Sequence, residues 1–256
     1  MSLKPISSIA KATFKEGIRS KIFYNIFIFG LLIVCSSMVL NKMTVGDESK
    51  IIKDLGLSCI SIFGLLTILF LEINHIYREF EEKIIYTILV KPISRGQYLL
   101  GKYLGVLFII LIEISSMFVL MMLLLLISKG TIYLGLLKGL YTIFLELSLI
   151  SAIAILLSTF MRPQLSTITI LAIYIIGHST SELRVLMIEK GSTLTTKIAE
   201  VIYYLFPNFD NFDIKVQVVH NLQLTTYHLT LTTLYGVFYI AVVLIISTRI
   251  FKKREF

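Results

Sequence analysis

Tryptophan is absent from this chain, and cysteine, proline and histidine are rare, with two, four and four residues among 256. Cys35 and Cys59 are too few to build a disulfide framework, and both lie in apolar runs, where a thiol usually acts as a small packing residue. The histidines stand apart from other metal-ligating residues, which predicts no metal site. No Ser/His/Asp or Cys/His arrangement stands out. The composition therefore points away from disulfide scaffolds, metal centres and enzymes.

Charged residues are scarce as well, at 16% of the chain against 56% hydrophobic residues and a mean hydropathy of +0.87. An ordinary soluble domain is roughly 45–50% apolar. A hydrocarbon layer about 30 Å thick requires roughly 20 apolar residues in a helix. The sequence therefore predicts an all-α membrane protein, a single domain over residues 1–256 with six transmembrane helices. The predicted spans are Ile22–Leu40, Leu55–Ile73, Tyr103–Ile127, Leu137–Phe160, Leu165–Gly177 and Leu229–Phe251.

The net charge of +8 follows this topology. Six spans place both termini on one side of the membrane, and 15 of the 24 Lys and Arg residues lie on that side. Because basic residues concentrate in short cytoplasmic loops, both termini are expected in the cytoplasm. No basic patch is interleaved with stacking aromatic residues, so the expected partner of this charge is the lipid bilayer and not nucleic acid.

Residues 1–21 have the pattern of an amphipathic helix. Ile6, Ile9 and Phe14 are spaced along one helical face, and basic residues occupy the other. Such a helix lies in the headgroup layer with its lysines toward anionic lipid. The alternative is a solvated cytoplasmic tail.

Residues 179–228 are the only sizeable polar segment outside the predicted spans. Two short helices, Ser181–Glu189 and Thr195–Leu205, and a short strand over residues 214–218 are predicted within it. About 50 residues cannot build a large independent core. We therefore expect a small outer cap that rests on the helices or partly re-enters them.

The stretch from His75 to Lys102 is dense in charge, with three acidic and five basic residues. A connector that only reversed the chain would be shorter and less polar. Gly96 to Lys102 fits the phosphate-loop pattern G-x-x-x-x-G-K, but Tyr103 follows where Ser or Thr would hold magnesium, and the segment opens an apolar helix. The stretch is therefore predicted to contact another protein and not to bind ATP.

Three carboxylates lie within the predicted spans. Glu72 is close to the cytoplasmic end of its span, where it could reach water, whereas Glu113 and Glu146 lie deeper. Intramembrane charges are functional candidates by default. For Glu113 and Glu146 two interpretations stay open: pairing with Ser, Thr or Tyr across a helix interface, or contact with a substrate or proton.

Two pairs of glycines, Gly101 with Gly105 and Gly135 with Gly139, have the small-xxx-small spacing of closely packed membrane helices. Both pairs lie at span ends. Chance placement and a packing role both stay open.

A set of residue types between Arg78 and Gly105 resembles the ABC type-two permeases, exporter-type membrane subunits that work with a separate ATPase. The residues are Arg78-Glu79-Phe80-Glu81, Thr87-Ile88-Leu89, Lys91-Pro92-Ile93-Ser94-Arg95 and Leu100-Gly101-Lys102-Tyr103-Leu104-Gly105. The nearest branch is the one that contains the nitrous-oxide-reductase maturation permease. Further matches are the segment Phe14, Glu16, Arg19 and Phe23, which resembles the family's elbow helix, and Pro207–Asp213, which resembles its outer loop. The resemblance covers nearly the whole chain, from about Ile6 onward.

This resemblance implies an elbow helix at residues 1–21 and a cytoplasmic coupling helix within residues 75–102, held in a groove of the ATPase. The implied contacts with the ATPase subunit are Arg78, Glu79, Phe80, Glu81, Glu82 and Lys83. It further implies an ATPase dimer that carries ATP and magnesium, no cofactor on this chain, and a second copy of the permease or a paralogue. The expected location is the cytoplasmic (inner) membrane of a prokaryote, and the expected activity is export of an unidentified substrate. An outer, periplasmic partner at residues 179–228 is compatible with this.

Two other functions stay open. A non-transporting mechanotransmitter would pass ATPase motion to an outer partner through residues 179–228. An ion-driven secondary transporter would need a charged midplane site and often shows repeat symmetry, and the sequence has no visible repeat.

Overall fold

The computed structural model describes residues 4–43, 48–81, 93–129, 134–190, 207–220, 222 and 226–253; of these, 38–43, 48–49, 80–81, 129, 181–190 and 253 are described by their backbone alone. Every regular element in these ranges is helical. The helices are α1 (Lys4–Arg19), α2 (Lys21–Met43), α3 (Glu48–Thr67), α4 (Ile73–Glu81), α5 (Arg95–Lys129), α6 (Leu136–Ser158), α7 (Pro163–Lys190), α8 (Lys215–Val219) and α9 (Thr226–Lys253), with a π-helical turn at Ile68–Glu72 and a 3-10 turn at Phe209–Asn211.

Four helical stretches are long and apolar enough to cross a membrane: Lys50–Glu79, Arg95–Ser128, Leu136–Ser158 and Thr226–Lys252. The first of them runs through α3, the π-helical turn and α4 without a break. Helices α1 and α2, bent by 63° relative to each other, add a fifth span if the pair is counted as one. The chain is therefore an all-helical, multi-pass membrane protein, and a sixth crossing through α7 stays a prediction.

Helices α3 and α6 form the centre of the bundle. The apolar stretch of each is 78% buried inside the chain, whereas that of α9 is only 17% buried. Leu147, Ala152 and Ala154 of α6 are fully enclosed, while Val237 and Phe238 of α9 are exposed. Apolar side chains exposed on a spanning helix face lipid, so α9 lies at the periphery of the bundle.

Helix α1 packs closely along the first turns of α5, and glycines make this approach possible. A Cβ atom added at Gly101 would lie 2.7 Å from the Cβ of Ile9, and one at Gly105 would lie 2.9 Å from the carbonyl oxygen of Ala10. Neither distance leaves room for a side chain. By contrast, no atom of the described residues lies within 4 Å of the same position at Gly135, and the nearest one at Gly139 is 3.5 Å away, an ordinary contact distance. The first small-xxx-small pair is therefore a close-packing motif within the described residues, and the second pair is not.

Helix α7 is longer than the sequence predicts. It runs from Pro163 to Lys190 without a break, so it contains the predicted fifth span, and the prediction of a separate helix at Ser181–Glu189 is wrong. Polar residues end an apolar run, but they do not end a helix unless a proline or capping residue is present. Gly177 lies in the middle of α7, where its missing side chain admits the ring of Phe209.

The predicted strand over residues 214–218 is also wrong, because residues 215–219 form α8. Ile214 and Val218 are buried while Val216, between them, is 63% exposed. This i, i+4 pattern is helical, and five residues are too few to distinguish it from alternation by sequence alone. The predicted helix at Thr195–Leu205 lies outside the described residues.

Residues 207–220, the described part of the predicted outer cap, pack into the bundle. The side chains of Phe209 and Phe212 are fully buried. The backbone N–H of Asn208 donates to the Tyr235 hydroxyl at 3.0 Å, and the Thr232 hydroxyl donates to the Asn211 carbonyl at 3.3 Å. These bonds attach residues 207–220 to α9, while the two rings fill space between the helices.

Candidate functional site

The 75–102 segment consists of the end of α4, the start of α5 and the residues between them, and its two helical ends are bound to each other. The carboxylate of Glu79 accepts hydrogen bonds from the hydroxyl of Tyr98 and the ammonium of Lys102, and all three side chains are buried. Tyr98 and Lys102 are four residues apart on α5, so they lie on the same helical face. One carboxylate thereby joins the last turn of α4 to the first two turns of α5.

The start of α5 is also bound to the end of α9. The guanidinium of Arg95 donates to the carbonyl oxygens of Phe251 and Lys252 at 2.8 and 3.1 Å. Carbonyls in the last turn of a helix lack intrahelical donors, and a basic side chain is a common partner for them. The ring of Phe251 stacks on Tyr98 with 6.1 Å between ring centroids.

We call Glu79, Arg95, Tyr98, Lys102 and Phe251 the junction cluster. It connects three helix ends, those of α4, α5 and α9, through four hydrogen bonds, one of which is also an ion pair, and an aromatic contact. Two of these ends flank residues 82–92, which lie outside the described residues. The cluster therefore holds the described ends of three helices to one another.

The residues predicted to contact an ATPase lie in different surroundings. Arg78 is exposed, whereas the carboxylate of Glu79 is bound within the chain. Phe80 and Glu81 belong to the last turn of α4, and their side chains are not described. The two remaining residues, Glu82 and Lys83, lie outside the described residues. The contact role of all six stays a prediction.

Two of the intramembrane carboxylates bind neighbouring helices at the two ends of the π-helical turn. The hydroxyl of Thr67, just before the turn, donates to Glu113 Oε1 at 2.9 Å. The hydroxyl of Ser151 donates to Oε1 of Glu72, the last residue of the turn, at 2.8 Å. Glu72 is fully buried, so the expectation that it reaches water is wrong. Its helix continues to Glu81, which places Glu72 more than two turns inside the end.

The third carboxylate, Glu146, lies beside a histidine. Nε2 of His178 is 3.3 Å from Oε1 of Glu146, and the contact joins α6 to α7. Glu146 is fully buried, and the His178 ring lies between Tyr174 and Phe209, with ring centroids 4.4 and 5.6 Å away. Neither carboxylate oxygen of Glu146 makes a hydrogen bond to any residue that the structure describes, so both interpretations of Glu146, helix pairing and contact with a substrate or proton, stay predictions.

The sequence offered few signals for these partners. The i, i+4 spacing of Tyr98 and Lys102 marks a common face, but nothing in the spacing points to Glu79. Arg95 and Phe251 are 156 residues apart. Among the described residues, no three His, Cys, Asp or Glu side chains come together as a metal site. What the geometry offers is a set of polar links between helices.

These features define a polytopic membrane protein whose buried polar groups tie its helices together. The family described as ABC-2 family transporter protein matches residues 7–256, and the chain belongs to that family. It is the permease subunit of an ABC transporter, a membrane component without an ATPase site of its own. Members of the family generally work with an ABC ATPase partner. No curated protein matches this chain.

Proposed function

We propose that this permease couples ATP hydrolysis on a separate ATPase dimer to the export of its substrate, and that residues 78–83 and the connecting segment after them contact the ATPase. The junction cluster is the observation that carries this proposal. Glu79, Tyr98 and Lys102 join the helix ends on both sides of the connecting segment. A push on this segment therefore reaches α4 and α5 as a pair.

The helices on either side are long and continuous, which suits them to pass on such a displacement. Helix α5 has 35 residues, a length of about 52 Å at 1.5 Å per residue. It exceeds a hydrocarbon layer of about 30 Å by roughly 20 Å. The excess places one end of α5 outside the bilayer, and tilting this end moves the whole helix as a rigid body.

The remaining parts of the proposal follow from the resemblance together with this architecture. In the proposed assembly, α1 is the elbow helix, α4 contributes to the coupling helix and α7 completes six spans, with both termini in the prokaryotic cytoplasm. Two copies, or one copy and a paralogue, form the membrane part. ATP and magnesium bind to the ATPase, and this chain holds no cofactor. The proposed branch is that of the nitrous-oxide-reductase maturation permease.

A second candidate function is mechanotransmission to an outer partner without transport. It is favoured by the close packing of Phe209 against Gly177, because a shift of α7 would move the outer segment directly. ATP-dependent movement of substrate in vesicles separates the two functions. Stimulated ATP hydrolysis without any movement would favour mechanotransmission.

The contact is tested with the double variant Phe80→Ala/Glu81→Lys. We expect it to abolish co-purification of the ATPase while membrane insertion is kept, because the contact loses an apolar side chain and reverses one charge. Asp54→Lys, a charge reversal at an exposed position near the opposite end of the same helical stretch, is the matched control. Unchanged association in the double variant contradicts the proposed contact.

A further inference from the structure

A cleft of about 630 Å³ lies where the end of α1 meets α4. It is separate from the junction cluster and from the buried carboxylates. Its polar lining comes from both helices and from the bend after α1: Lys15, Glu16, Arg19, Ser20, His75 and Arg78.

The cleft is strongly basic. Among the described residues that line it, the cations are Lys15, Arg19 and Arg78 and the acid is Glu16. That acid already faces His75, whose Nδ1 lies 3.1 Å from Glu16 Oε1. Lys15 and Arg19 are exposed and make no ion pair with any residue that the structure describes. An anion in the cleft would therefore meet uncompensated positive charge.

The position of the cleft identifies the kind of anion. Ser20 lies at the 63° bend between α1 and α2. The next helix begins with exposed apolar side chains, Ile22 at 42% and Tyr24 at 48% exposure. Three residues of helix span only about 4.5 Å. The cations of the cleft therefore lie within about one turn of a surface that faces lipid.

We propose that this cleft binds the phosphate of one anionic phospholipid, of the phosphatidylglycerol type, whose acyl chains lie along the exposed face of α2. Each Lys or Arg near an anionic surface strengthens binding about fivefold. Lys15 and Arg19 together therefore give roughly a 25-fold preference over a zwitterionic lipid. The bound lipid bridges α1 and α4.

Purified permease alone is enough for the test, so the result does not depend on the proposed ATPase coupling. Native mass spectrometry of the full chain counts retained phosphatidylglycerol against phosphatidylcholine. We expect Lys15→Ala/Arg19→Ala to lower retention of phosphatidylglycerol roughly 25-fold. Lys11→Ala is the matched control, since Lys11 is an exposed lysine of α1 that lines a different, apolar groove.

Glu16→Gln gives a second, opposite readout. It removes the acid found among the described lining residues, at a side chain that is 53% exposed, so it keeps the fold. We expect phosphatidylglycerol retention to rise up to about fivefold.

Three results would overturn the proposal. The first is equal retention of both lipids by the unmodified chain. The second is full competition by millimolar inorganic phosphate without lipid selectivity, which would indicate a soluble anion. The third is a double variant that retains as much phosphatidylglycerol as the unmodified chain.

Discussion

The buried ion pair of the junction cluster makes the sharpest prediction about stability. Glu79→Gln leaves the ammonium of Lys102, whose side chain is 5% exposed, without its carboxylate. Removing one partner of a buried pair costs about 3–5 kcal/mol because the other charge stays buried and uncompensated. We expect a loss of this size in the free energy of unfolding, measured by reversible denaturation in mixed micelles. Glu16→Gln, at an exposed pair with His75, should cost less than about 1 kcal/mol.

The double variant Glu79→Gln/Lys102→Met completes the cycle. Because it removes both charges, it should recover most of the loss seen in the single variant. If Glu79→Gln costs no more than Glu16→Gln, the pair does not stabilise the junction. The same conclusion follows if the double variant loses as much free energy of unfolding as Glu79→Gln and Lys102→Met lose together. A second readout separates transmission from docking: because the carboxylate of Glu79 is bound to Tyr98 and Lys102, ATPase stimulation should fall more than ATPase association in Glu79→Gln.

Two further predictions concern helix packing. Gly105→Ala should destabilise the chain by about 1–3 kcal/mol, because the new methyl group meets the backbone of α1. Gly135→Ala, at an open position with φ of −58°, should be neutral or stabilising by up to about 1 kcal/mol, and equal effects would contradict the packing argument. Thr67→Val removes the hydroxyl that donates to Glu113 and should cost about 1 kcal/mol by the same unfolding assay. Ser36→Ala, at an exposed hydroxyl, is its control and should change little.

The apolar runs predicted where most helices lie, but not where they end. Hydropathy reports the thickness of lipid that a segment can cross, and a helix is free to continue beyond it. Helix α5 therefore begins at Arg95, eight residues before the predicted span at Tyr103. The helical stretch before it likewise continues past Ile73 to Glu81. The polar residues at the end of α4 and the start of α5 have the composition of a connector, but they extend the two helices.

The sequence alone does not identify which polar side chains pair across neighbouring helices. A carboxylate inside a membrane needs a donor, and this predicts that Glu113 is paired without saying with what. Its donor, Thr67, is 46 residues away, and many hydroxyl side chains in the spans would have served equally well. Only the packing of α3 against α5 selects one of them. The same holds for Glu146 and His178, which meet because α6 and α7 are neighbours.

The π-helical turn at Ile68–Glu72 sets the direction in which the side chains of α4 point around the helix axis. A π turn contains one residue more than an α-helical turn, and one residue corresponds to about 100° of rotation. The extra residue is absorbed within the turn, so loss of a single codon here would restore a regular α-helix and leave Glu79 facing Lys102. Substitutions that convert the turn to an α-helix without shortening the chain would instead swing Glu79 about a quarter of the way round the axis, which changes the face of α4 that meets α5.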